Sequence, residues 1–207
     1  MESEVDCMVK EKPMAKITRE SLMSLETYAR ERKVFREHVL AHKKSRSVHL
    51  GEHLTLLYED ETTIRYQIQE MLRIERVFEA AGIEDELNAY NPLVPDGCNW
   101  KATMLIEYGD VEERRRALVR LKGIEHCVWV QASGFTRVYA IADEDLEREN
   151  EQKTSAVHFL RFELNDAIKQ ALKAGANLAI GCDHPDYTVT LEVVSSAVRE
   201  SLVGDLA

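Results

Sequence analysis

Ser155-Ala-Val-His-Phe-Leu-Arg-Phe-Glu-Leu164 and its earlier echo Trp100-Lys-Ala-Thr-Met-Leu-Ile-Glu-Tyr108 set the terms for the rest of the chain. Aromatic and aliphatic residues dominate both, and neither holds Gly or Pro, so both read as strands. His158, Arg161 and Glu163 interrupt the later run, and desolvating such groups costs free energy unless each finds a partner. Strand alternation places Arg161 and Glu163 on one face with Phe159, and His158 on the other with Leu160 and Phe162. This stretch is therefore the leading candidate for a functional site.

The two runs lead into similar segments. The first is succeeded by a helix from Asp110 to Leu121 that closes at Gly123, then by a hairpin of 127–132 and 137–142 around Ser133-Gly134. The second is succeeded by a helix over 166–174 that closes at Gly175, then by a hairpin of 177–182 and 187–194 around Asp183-His-Pro-Asp186. Each unit is strand, helix, strand, strand. The fold class this predicts is α+β: a mixed or mostly antiparallel sheet from two such units, with N-terminal helices packed alongside. Residues 1–16 are expected to be a disordered tail, and 17–207 one domain made of a helical part (17–90) and the two units (98–207). A gapless alignment of the units sets Glu107 on Glu163. The two carboxylates then either approach each other across a sheet with Arg161 as counter-ion, or Arg161 and Glu163 merely satisfy one another.

Ahead of the units, Leu22, Leu25, Tyr28, Ala29, Phe35 and Val39 recur at helical spacing, and the basic run His42-Lys-Lys-Ser-Arg46 reads as a solvated helix end. Short extended segments at 47–50 and 54–58 break at Gly51. Asp60 then starts a helix expected to run to about Ala80 and to close at Gly82. Its apolar stripe is Ile64, Ile68, Met71, Leu72 and Phe78, with Glu75 inside the arc. A short helix over 84–90 and a proline-rich loop over 91–100 follow.

The 207 residues carry 27 basic and 37 acidic side chains, a net charge of -10 that repels phosphate backbones and anionic lipid surfaces. No nucleic-acid or membrane partner is expected. No run of about 18 apolar residues is present to span a bilayer, and the acidic N-terminus has no apolar signal core, so the expected location is cytoplasmic. Cys7, Cys98, Cys127 and Cys182 form no C-x-x-C pair and are read as free thiols.

Two constellations hold candidate chemistry. The first is a ligand site between the Asp60 helix and the sheet, drawn from Glu70, Glu75, Glu107, His158, Arg161 and Glu163. The second is a metal site. His38 and His42 are four apart on one helix face, His49 and His53 come next, and a bound transition metal ion would take His42 and His53 with Glu70 or Glu75. No dinucleotide fingerprint, phosphate loop or nucleophile elbow is written in the sequence.

The runs Tyr66-Gln-Ile-Gln-Glu-Met-Leu-Arg-Ile-Glu-Arg76, Tyr90-Asn-Pro-Leu-Val-Pro-Asp-Gly97, Trp100-Lys-Ala-Thr-Met-Leu-Ile-Glu107 and Lys153-Thr-Ser-Ala-Val-His-Phe-Leu-Arg-Phe-Glu163 resemble a bacterial family known only as a domain of unknown function. The resemblance covers nearly everything after Ile17. It implies encoding beside rubrerythrin-like di-iron proteins and iron–sulfur proteins related to heterodisulfide reductase, hence a role near peroxide defence or electron transfer with such a redox protein as partner. It supplies no catalytic residues. The chain itself lacks the cysteine clusters and the duplicated Glu-x-x-His pattern that would hold those cofactors. The leading expectation is an accessory protein that binds a partner or small ligand in an iron-linked redox pathway. The alternative is a metal-dependent or small-molecule enzyme using the polar site above, and a structural homo-oligomer is the third reading.

Overall fold

A computed structural model describes residues 16–144 and 152–207. The predicted tail, up to residue 15, lies outside the described residues. In chain order the elements are α1 (Leu25–Lys43), β1 (Ser47–Leu50), β2 (Leu54–Glu59), α2 (Glu61–Glu75), α3 (Ala80–Tyr90), β3 (Asn99–Ile106), α4 (Val111–Arg120), β4 (Val128–Ala132), β5 (Val138–Tyr139), β6 (Ile141–Ala142), β7 (Val157–Glu163), α5 (Asp166–Lys173), β8 (Leu178–His184), β9 (Tyr187–Leu191) and α6 (Ser196–Val203). The α+β class and the two strand–helix–strand–strand units are present as the sequence predicts.

The units divide between two sheets. The first sheet has the order β1-β2-β3-β7-β6 and the second β5-β4-β8-β9, with every pairing antiparallel. The leading strands β3 and β7 therefore lie side by side in one sheet, and the following strands β4 and β8 in the other. Inward-facing residues of both sheets, among them Leu56, Trp100, Phe162, Val130 and Ile180, share one core with α4, α5 and α6. The predicted second arm of the first hairpin splits at Ala140: β5 pairs with β4 and β6 with β7, so this segment crosses from one sheet to the other.

The N-terminal helices close over a smaller core of Ile17, Ile64, Ile68, Leu72, Leu87 and Val94. Asp60 opens α2 through a reciprocal cap, its carboxylate accepting from the Thr63 N–H and its own N–H donating to the Thr63 hydroxyl, both at 2.9 Å. The helix stops earlier than its stripe predicts. Arg76 takes a left-handed conformation at φ 55°, which ends α2 at Glu75, and Gly82 lies inside α3 instead of closing a helix. Phe78 and Glu75 consequently leave the stripe and are exposed.

Two further expectations change. Arg46, read as part of a solvated basic run, is buried at 2% exposure. Its guanidinium donates to the carbonyls of Tyr58 (3.0 Å) and Glu59 (2.9 Å) and pairs with Asp205 at 2.5 Å, which ties the end of α1 and strand β2 to the segment after α6. Burial pushes the Asp205 carboxyl up to about 6. Cys127 and Cys182 are free thiols, whereas Cys98 is engaged in a disulfide.

Gly181 marks the tightest approach inside the second sheet. It sits opposite Trp129 across β4 and β8, and a Cβ there would collide with the Trp129 indole and come within 2.7 Å of the Val189 carbonyl. Overpacking of this kind costs ~1–3 kcal/mol. Gly181→Ala is expected to lower the midpoint of thermal unfolding accordingly, and an unchanged midpoint in calorimetry would show that the indole can shift at no cost.

Candidate functional site

Because side chains alternate along a strand, the first sheet has an inner face in the core and an outer face that is only half covered. The registers place Glu59, Lys101, Arg161 and Ile141 in one row across β2, β3, β7 and β6, and Leu57, Thr103 and Phe159 in the next row. Above them the turn at Asn91–Leu93 leaves a cavity of about 450 Å³ lined by Pro92, Leu93, Lys101, Glu144, Phe159 and Arg161. That volume lies in the range of small-molecule sites.

The charges in this row are partnered unequally. Glu144 takes the Arg161 guanidinium in a two-pronged pair at 2.7 and 2.8 Å, and Glu163 pairs with it as well. Glu59 accepts from the hydroxyls of Thr63 and Thr103, both at 2.6 Å. Lys101 forms no ion pair among the described residues: its ammonium donates to the Pro92 carbonyl at 2.5 Å, and burial pulls its pKa down. A half-buried cation facing a cavity with a neutral partner is poised to donate to a ligand.

Behind the same strand, His158 points the other way and is fully buried. Its Nδ1 meets the Asp143 carboxylate at 2.5 Å, and its Nε2 meets the Thr154 hydroxyl at 2.9 Å and the Ser155 carbonyl at 3.0 Å. Glu125, in the turn Ile124–His126, reaches Nε2 at 3.8 Å and accepts from Thr154 at 3.2 Å. Among the described residues, Glu125, Asp143 and His158 are the one group of three whose ligand atoms lie within 4.8 Å of one another.

The predicted site residues are thus distributed over several places. Arg161 borders the outer cavity with Glu163 bound to it, and His158 lies beneath in the buried cluster. Glu107 and Glu163 do not meet: Glu163 stands opposite Asn99, and Glu107 follows the far end of β3. Glu107 accepts from the Thr55 hydroxyl at 2.6 Å. His53 stacks on Tyr108 with ring centroids 3.9 Å apart and meets the Glu107 carbonyl through Nδ1 at 2.9 Å. His42 pairs with Asp60 at 2.5 Å. Glu70 joins α1 to α2, accepting from Tyr28 at 2.5 Å and from Arg32 at 2.7 and 2.8 Å, and Glu75 is exposed at the end of α2. Sequence reasoning missed Lys101, Glu144, Glu125, Asp143 and Thr154. Lys101 alone carried a signal, as the one cation at an outward position of the earlier strand run; the others lie in turns without periodicity.

Fold and site together describe an α+β protein with a cavity of apolar and charged side chains carried on the open face of a sheet. The chain belongs to the family described as protein of unknown function (DUF3501), whose model matches residues 16–206. It is similar to the crystal structure of a novel protein of unknown function from Burkholderia pseudomallei K96243, with 57% identity, a TM-score of 0.89, and coverage of 93% of this chain and 100% of that one. No curated protein matches it.

Glu70 gives a direct test of the α1–α2 clasp. The Arg32 guanidinium first, then the Tyr28 and Arg73 hydrogen bonds, hold its carboxyl down at about 2 against burial, from an ordinary 4.5. A depressed folded value means that the clasp contributes fully above about 4.5 and fades as pH falls through 2. Glu70→Gln is expected to unfold at a lower temperature than the parent at pH 7, with the gap narrowing steadily below pH 4.5. A gap independent of pH would mean that shape, not charge, holds the helices.

Proposed function

We propose that this is a cytoplasmic accessory protein that binds a small ligand in the cavity on the outer face of the first sheet and serves an iron-linked redox or peroxide-defence pathway. Lys101 carries the ligand reading. Its ammonium is half buried, faces a cavity of about 450 Å³ and has a carbonyl as its hydrogen-bond partner, so an acceptor group on a ligand gains a charge-assisted hydrogen bond there. Phe159, Leu93 and Pro92 supply an apolar wall for the ligand's body. The pair of Arg161 with Glu144 forms the far side. The pathway, and a rubrerythrin-like or iron–sulfur redox protein as partner, rest on the neighbourhood that the family resemblance implies. A second reading, a metal-dependent or small-molecule enzyme, is favoured by one observation, the enclosure of His158 between Asp143 and Glu125.

Calorimetric titration with benzoate and benzamide tests the cavity. Both offer an apolar ring to match Phe159 and an acceptor to match Lys101. Lys101→Met is expected to weaken benzoate at least tenfold, since a hydrogen bond to a charged group contributes ~1.5–3 kcal/mol. Equal affinity in the parent and the variant would remove Lys101 from the site. For the pathway, deletion of the gene is expected to sensitise cells to peroxide, and an unaltered peroxide response would count against it.

A further inference from the structure

We propose that His158 Nε2, Glu125, the Thr154 hydroxyl and the Ser155 carbonyl form a site for one divalent first-row cation, with Asp143 orienting the imidazole. This inference does not depend on the outer cavity.

The geometry is that of a carboxylate–histidine–metal arrangement. A metal-bound imidazole ordinarily donates its other ring N–H to a carboxylate, which fixes the tautomer and raises ligand basicity. Asp143 stands at Nδ1, 2.5 Å away, and its second oxygen accepts from the Phe159 N–H at 3.0 Å, so the carboxylate is itself held in place. That leaves Nε2 as the ligating atom. Around it lie three oxygen donors: Thr154 Oγ1 at 2.9 Å, Ser155 O at 3.0 Å and Glu125 Oε2 at 3.8 Å, with Thr154 and Glu125 themselves 3.2 Å apart. Donors that each sit ~2.1 Å from a tetrahedral ion are ~3.4 Å from one another. The observed spacings bracket that value.

Glu125 supplies the second observation. It is 2% exposed, and among the described residues its side-chain contacts are the Thr154 hydroxyl and the His158 ring, with no Lys or Arg. A buried carboxylate without a permanent cationic partner is costly unless a proton or a metal neutralises it. One imidazole with carboxylate, hydroxyl and carbonyl oxygens and no thiolate suits Mn²⁺, Fe²⁺ or Zn²⁺ better than a soft ion. The donors come from the turn after α4, the entry to β7 and β7 itself. An ion enclosed there pins these segments together, and its binding energy becomes folding energy.

The test uses the full-length, untagged protein purified without chelator. Elemental analysis is expected to give close to one such ion per chain. Stripping with a strong chelator is expected to lower the unfolding temperature, and Mn²⁺, Fe²⁺ or Zn²⁺ to restore it. Glu125→Gln keeps the shape and should abolish both metal content and chelator sensitivity, while Asp143→Asn should weaken affinity by roughly 10–100-fold. Should Glu125→Gln fail to fold, X-ray absorption on the parent protein decides: one imidazole with oxygen donors supports the site, and sulfur ligation overturns it. Metal-free protein whose unfolding temperature responds to none of the three ions also overturns it.

Discussion

The antiparallel pairing of β3 with β7 is the constraint on which the rest depends. Its register sets Trp100 against Phe162 and Met104 against His158 on the inner face, and Lys101 against Arg161 and Thr103 against Phe159 on the outer face. A slip of β3 by one residue would drive Lys101 into the core and turn Trp100 to solvent, and a slip of β7 would do the same to Arg161 and Phe162. Trp100 also donates its indole N–H to the Leu202 carbonyl at 2.8 Å, so the same register docks the end of α6. One pairing thus decides which side chains form the core, which border the cavity and which way the buried histidine points.

The inner cluster and the outer cavity share a piece of backbone. Asp143, at φ 51°, exchanges hydrogen bonds with Phe159: its N–H donates to the Phe159 carbonyl at 2.9 Å, and its carboxylate accepts the Phe159 N–H at 3.0 Å. Asp is one of the few residues that tolerate this left-handed conformation without glycine. The turn it makes aims its carboxylate inward at His158 and sends the next residue, Glu144, outward onto Arg161. Whatever fixes Asp143 therefore also fixes one wall of the cavity.

Much of this was legible in the sequence because it followed periodicity. The two strand runs, their helices, and the opposite orientation of His158 and Arg161 all came from alternation and from turn residues, and the family resemblance tracks the same strands. Local features without a period were not legible. Arg76 ends α2 by a left-handed cap that no residue type announces, so Glu75 and Phe78 were assigned to a stripe they do not reach. Glu125 and Asp143 lie 33 and 15 positions from His158, and only the packing of a turn against a strand brings them together. Of the two arrangements open for Glu107 and Glu163, the structure takes the pairing of Arg161 with Glu163, because equivalent positions in antiparallel neighbours fall at opposite ends of the pair.

The central claim is that the outer face of the β3–β7 pair is a ligand site and the inner face is core. The most direct measurement is a map of amide and side-chain chemical shifts as benzoate is titrated into isotope-labelled protein. Saturable changes confined to Leu93, Lys101, Phe159 and Arg161 and their immediate neighbours are predicted. Changes centred on the α1–α2 clasp, or none at concentrations well into the millimolar range, would contradict it.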